Sequence, residues 1–188
     1  MILKNEARIF WCDIPNAGDQ FNLDLLRHYG FTPEMAPVDS TDSAEIVATG
    51  SILAWPHCNF TGAIMGAGFM FAESSHPFNR AAVFAVRGKL SMTRVFRKGI
   101  VLGDPGLLAN RIYVAERNQP QFALGIIPHF ADFDCPVVQQ LAAKDPKNTL
   151  LIDIKQKPAE VIQQITRCAA VVSSSLHGLI FADAFNFA

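Results

Sequence analysis

The run Ser173-Ser174-Ser175-Leu176-His177-Gly178 joins an apolar β-type stretch to an apolar helical one. Its residue types suit the handling of an anion and a proton. The first turn of a helix carries backbone N–H groups with no partner inside the helix, and the positive end of the helix dipole favours negative charge. Ser174 and Ser175 stand where hydroxyls cap such a helix or donate to an oxyanion. His177 carries a ring that titrates near neutrality and can give or take a proton. The plainer reading is that the serines only cap and the histidine only makes a structural hydrogen bond. Arg87 closes another apolar run, Ala82 to Val86. Its planar fork can bind a carboxylate or phosphate through two parallel bonds, and an ordinary ion pair is the alternative. His129 follows Ile127-Pro128 at the end of a third run, as a substrate contact or a loop histidine. Asp19, in Asn16-Ala17-Gly18-Asp19, is either a helix cap or a binder of substrate hydroxyls. Lys89 reads as a solvated lysine, and Asp104, before Pro105, as a turn former.

The elements that must position these residues alternate in kind. Apolar runs predict strands over 8–13, 45–49, 63–65, 82–86, 122–127, 149–154 and 169–172, with a short apolar segment at 100–102. Helices are expected over 19–29, 89–97, 137–143, 158–168 and 177–185, with Pro158 in a first turn and Val161, Ile162 and Ile165 on one face. Pro33 to Ser43 reads as a polar loop. Strands apolar throughout, alternating with helices, argue for an α/β fold with parallel sheets covered on both faces. The rhythm breaks near 104–120. The expectation is therefore two Rossmann-like lobes, 1–107 and 108–188, with a cleft between them. Ligands of such sheets sit at the carboxyl ends of the strands, where the residues above fall.

Composition narrows the function classes. Half of the 188 residues are hydrophobic and 18% are charged, so a packed core is within reach. Sixteen basic residues against seventeen acidic ones, with no basic run, give no argument for nucleic acid. Cys12, Cys58, Cys135 and Cys168 are far apart and form no CxxC pair, and His28, His57 and His76 have no spacing with a carboxylate. No metal site or cofactor is expected, and such thiols suit a reducing cytosol. Lys4, Glu6 and Arg8 interrupt any apolar leader, and the uncharged stretch 60–72 is too short to span a bilayer. The glycines Gly62, Gly66 and Gly68 do not make GxGxxG, and neither a GxSxG elbow nor a Walker loop is present.

Seven strand-end pieces, in order, resemble the polysaccharide pyruvyltransferase family. They are Asn16-Ala17-Gly18-Asp19, Thr49-Gly50-Ser51-Ile52-Leu53, Gly66-Ala67-Gly68, Ala85-Val86-Arg87-Gly88-Lys89, Gly103-Asp104-Pro105-Gly106-Leu107, Ile127-Pro128-His129 and the serine-rich run into Leu176-His177-Gly178. The resemblance spans about residues 16–185. It implies a GT-B-like pair of lobes, phosphoenolpyruvate as co-substrate and donor, and a sugar or lipid-linked oligosaccharide acceptor of an exopolysaccharide or cell-surface glycan, which becomes a pyruvate ketal. It further implies donor contacts at Arg87, Leu176 and His177; ketal formation needs a proton on the enol methylene, which makes His177 the catalytic candidate. In this setting Ser174 and Ser175 join the donor site, and Asp19 and His129 are the acceptor candidates. Two departures stand out. Some members carry an arginine where this chain has Ser175, and members continue well past this point, so an incomplete second lobe, prone to self-association, is expected. The setting implied is cytoplasmic, near the inner face of the membrane. A nucleotide-sugar glycosyltransferase and a non-catalytic fragment are the competing readings.

Overall fold

The structure, a computed structural model, describes residues 5–55, 59–115 and 119–186; His57 and Cys58 fall outside them. It is an α/β protein whose described residues form two parallel sheets, one of six strands and one of three. The chain divides into two compact units, one made of Met1–Asp13 and Asn22–Pro105, the other of Ile14–Phe21 and Gly106–Ala188.

The first unit holds β1 (Glu6–Ile9), β2 (Thr32–Met35), β3 (Ile46–Val47), β4 (Ala63–Met65), β5 (Ala82–Val86) and β6 (Val101–Leu102), in the order β2-β1-β3-β4-β5-β6. Every neighbouring pair runs parallel. Ile9, Val47, Ile64 and Val86 of these strands are fully buried, together with Phe60 and Phe78 from the connections. Each such side chain removed from water stabilises the unit by roughly 1.5–3 kcal/mol before entropy is counted.

Several elements differ from the sequence reading. Pro33 sits in a strand, not a loop. β2 is the sheet edge, and its inward N–H groups alternate: Thr32 donates to the Asn5 carbonyl at 2.8 Å and Ala36 to that of Ile9 at 2.9 Å. Pro33 falls at an outward position, where its missing N–H costs no ladder bond. The strand expected over 8–13 runs from Glu6 to Ile9, yet Phe10 and Trp11 remain buried, because apolar side chains fill a core equally well from irregular backbone. Likewise β3 stops at Val47, although Ala48 and Thr49 are buried. The helix α2 (Lys89–Arg94) ends three residues early, where Phe96 takes a left-handed φ of 53° that no helix continues.

The second unit holds β7 (Phe122–Ile127), β8 (Thr149–Leu151) and β9 (Cys168–Ser173), in the parallel order β8-β7-β9. Around them stand the single-turn α3 (Ala109–Ile112), α4 (Pro136–Ala143), α5 (Pro158–Ile165) and α6 (Leu176–Ala184). The apolar face of α5, Val161, Ile162 and Ile165, is fully buried as its spacing requires. Pro158 occupies the first turn, where a missing N–H is harmless. Cys168, expected to close that helix, instead opens β9. Burial pushes its thiol up to about 11, against a smaller downward pull from the Arg167 charge. α1 (Ala17–His28) begins in the second unit and continues in the first. Its Phe21 ring meets Phe181 of α6 edge to face at 5.6 Å, adding specific contact to apolar burial.

Candidate functional site

All strands within each sheet run parallel, so their carboxyl ends gather on one side. In the first unit β3, β4 and β5 end respectively in Thr49-Gly50-Ser51, Gly66-Ala67-Gly68 and Arg87. Backbone bonds knit these ends together. Gly68 N–H donates to the Gly50 carbonyl at 2.9 Å, Leu53 N–H to that of Gly68 at 3.0 Å, and Arg87 N–H to that of Ala67 at 3.2 Å. The Arg87 guanidinium lies on Gly68: a Cβ there would meet Nη2 at 2.6 Å. From this seat Nη2 donates to Ser51 Oγ at 2.9 Å and to the Phe69 carbonyl at 3.3 Å. A positive charge is thus aimed by a glycine, a hydroxyl and a carbonyl. It borders a hollow of about 630 Å³, lined also by Lys89 and Arg94. Gly66 serves a different purpose. It has φ 106°, and a Cβ there would strike Pro105 Cδ at 2.4 Å, so the Gly103-Asp104-Pro105 turn packs directly on its backbone.

One residue of this end escaped the sequence reading. Asn22 is wholly buried; its Nδ2 donates to the Thr49 carbonyl at 2.9 Å, and its Oδ1 accepts the Thr49 N–H at 2.8 Å. Both backbone groups of Thr49 are thereby withdrawn from the ladder, which is why β3 stops short and the chain turns into Gly50-Ser51. The signal was legible. Asn22 shares a helix face with Leu25 and Leu26, three and four residues on, and a polar group on a buried stripe requires a bonded partner.

The second unit gathers more of the expected residues. β7 ends in Pro128-His129, β9 in Ser174-Ser175, and the chain beyond β8 presents the Ile154 carbonyl, which accepts the Ala17 N–H at 2.8 Å. Ser174 does not cap α6; its Oγ accepts the His129 N–H at 2.8 Å and ties the two strand ends. Nor does the Ser175 hydroxyl cap. Ser175 holds the N-cap position, is 3% exposed, and makes no side-chain capping bond. The local organiser is Ser173. Its Oγ accepts the Ser175 N–H at 3.0 Å and has the Ile127 carbonyl at 2.7 Å as an acceptor for its own hydrogen. Gly178 is required by that hydroxyl, since a Cβ would meet Ser173 Oγ at 2.4 Å. Leu176, 43% exposed, opens the helix. His129 is half-buried, and its Nδ1 faces the Ala131 N–H at 3.4 Å.

His177 is the second residue of α6 and only 7% exposed. Its ring lies against the backbone of Gly18: a Cβ at position 18 would stand 2.0 Å from Nδ1. Two motifs 159 positions apart in sequence thus meet in one contact. Gly18 is held by its own turn, in which Asn16 Oδ1 accepts the Gly18 N–H at 2.9 Å. Asn16, not Asp19, therefore caps α1, and Asp19 is the buried acid of the first turn, where the helix dipole favours negative charge. Asp19 follows directly on the residue that seats His177.

Among the described residues no group of three histidine, cysteine or acidic side chains comes together as a metal site, and no helix is long and apolar enough to cross a membrane.

Each unit of this α/β protein thus has glycine- and serine-rich strand ends, which seat a guanidinium in the first and an imidazole in the second. The sequence profile of the polysaccharide pyruvyl transferases matches residues 78–186, a stretch that includes both Arg87 and His177. The chain belongs to that family, whose members are transferases. It is also similar to an uncharacterized protein of Acanthamoeba polyphaga mimivirus, 29% identical over 190 residues, which cover 91% of this chain and 61% of the relative. The chain thus spans about three-fifths of that relative's length. No solved structure matches it.

Proposed function

We propose that the protein transfers a pyruvyl group from phosphoenolpyruvate to two hydroxyls of a sugar in an exopolysaccharide or cell-surface glycan. The observation that carries this reading is the seating of His177 on Gly18 at the start of α6. A histidine placed by a side-chain-free neighbour, at the positive end of a helix, suits proton transfer next to an anion. In the proposed reaction His177 protonates C3 of the enol, leaving C2 electrophilic. One sugar hydroxyl forms a bond to C2 and loses its proton. The C2–O bond to phosphate then breaks, and the second hydroxyl closes the ketal, its proton leaving with the phosphate. One proton gained by carbon and one by phosphate balance the two lost by the sugar. Arg87 holds an anionic group of the donor. Ser174, Ser175 and Leu176 frame the donor at the tip of α6, and Asp19 and His129 are the acceptor contacts in this scheme. A GT-B-like arrangement of two Rossmann-like lobes is part of the proposal, as is a cytoplasmic reaction on a free or lipid-linked acceptor.

The first test is thermal stabilisation of the purified chain. Phosphoenolpyruvate should raise the melting temperature, and uridine or guanosine diphosphates should leave it unchanged. The reverse pattern would replace the proposal with a nucleotide-sugar glycosyltransferase. Sugar-dependent release of phosphate, with appearance of a ketal methyl signal by NMR, measures turnover directly. Stabilisation by neither ligand class, with no turnover, would leave a non-catalytic chain.

A further inference from the structure

The hollow beside Arg87 carries more positive charge than one anionic group requires. Arg87, Lys89 and Arg94 line it, with Phe69, Met70 and Leu90 on the apolar side, and no carboxylate contributes to its wall. The wall is built rather than incidental. Phe69 N–H donates to Ser91 Oγ at 3.4 Å, the Phe69 carbonyl accepts from Arg87, and the Phe71 carbonyl accepts from Arg94 Nη1 at 2.9 Å. Three contacts, from Arg87 after β5 and from Ser91 and Arg94 of α2, therefore fix the facing backbone of Phe69 and Phe71. Among the described residues neither Lys89 nor Arg94 makes an ion pair. Like charges around one hollow repel unless an anion enters. Arg94 spends a single N–H on Phe71, and a guanidinium has five. Arg87 already gives Nη2 to Ser51 and Phe69, so an anion beside it draws on the other two cations as well.

We propose that Lys89 and Arg94 bind a second anionic group of the ligand whose first is held by Arg87, so that the hollow selects compounds with paired oxyanions over those with one. The inference rests on the reading of Arg87 as an anion-holding residue. Paired oxyanions have two sources here: the phosphate and carboxylate of the donor, or a diphosphate carried by the acceptor.

Calorimetric titration of the full chain with phosphoenolpyruvate, pyrophosphate, inorganic phosphate and pyruvate, at one ionic strength, separates these. At least one paired ligand should bind about tenfold or more tightly than phosphate or pyruvate, the scale of one charged hydrogen bond. The double variant Lys89→Gln/Arg94→Gln should lose that preference, while its affinity for the single-group ligands shifts by less than about threefold, as expected of contacts the second group alone makes. Lys89→Gln with Arg94→Lys guards against collapse of the wall and should lose part of the preference. Arg8→Gln, whose parent pairs with Glu45 away from the hollow, should retain all of it. Preference for phosphoenolpyruvate assigns the second anion to the donor. Preference for pyrophosphate alone keeps the inference and removes the pyruvyl donor. No preference in the unaltered chain, or one untouched in the double variant, overturns the inference; phosphoenolpyruvate binding in that case leaves the proposed reaction standing.

Discussion

The two strand-end clusters solve different problems with similar residues. In the first unit, Gly68 makes room for a charged side chain, and Arg87 is oriented by polar atoms on one edge while its surroundings open to a broad hollow. In the second, Gly18 makes room for a titratable ring, and His177 is enclosed. Arg87 is only half-buried, and burying such a charge without partners would cost several kcal/mol. In the proposed reaction His177 carries a proton, and it would gain from fixed geometry because transfer needs heavy atoms within hydrogen-bond reach. The glycines therefore do not mark one shared loop type. One leaves space for charge, the other for position.

This contrast can be broken by kinetics. His177→Ala should show the largest effect: a fall of about 10²–10⁴ in kcat, the range of general acid–base catalysis, with donor KM altered little. Arg87→Gln should act the other way, raising donor KM by about tenfold to a hundredfold with a smaller change in kcat, as loss of a charged hydrogen bond implies. If the two variants exchange these signatures in steady-state assays, the comparison is inverted.

Gly18→Ala sharpens it. The added methyl has no space beside Nδ1, so overpacking should destabilise the protein by about 1–3 kcal/mol and move the ring. Thermal unfolding checks the first effect, and a fall in kcat at constant donor KM checks the second. A Gly18→Ala protein with full activity would mean that the position of the imidazole is immaterial.

The smallest functional effect concerns Cys168, which the chemistry does not use. Its thiol is held up to about 11 in the fold, chiefly by burial. Below the ordinary thiol pKa both folded and unfolded chains keep the proton, and stability is unaffected by this group. Above it the unfolded chain binds fewer protons, so stability should fall as pH rises from about 9 to 11, by up to about 3 kcal/mol. Denaturant unfolding across that range should show the slope, and Cys168→Ala should remove it without altering turnover measured at neutral pH.

Much of this was legible in the order of residues. β4, β5 and β7 fall where their apolar runs place them, although the expected cover on both faces is incomplete, with Met65 and Phe84 exposed. The α5 stripe is visible in its spacing, because a helix that buries one face repeats its apolar residues at three and four. Strand lengths were less visible. Phe10, Trp11, Ile152 and Ile154 are buried in irregular backbone, and hydrophobicity reports burial, not hydrogen bonding. Pro33 pointed to a loop because its tolerance depends on which edge of the sheet it occupies, and β2 has that edge only once the strand order is known.

By itself, the sequence determined the α/β class, the strand-end positions of Arg87, His129 and His177, and the family. These follow from local periodicity and from short motifs, which are properties of neighbouring residues. Only the tertiary structure decided what each site residue does there. Asn16 took the cap from Asp19, Ser173 took the organising role from Ser174 and Ser175, Asn22 latched Thr49, and Gly18 came to rest on His177. Each of these is a choice of partner for a polar atom or a surface with no room for a methyl. Such choices are made between segments distant in the chain, where nothing in the spacing of residues records the distance that folding will close.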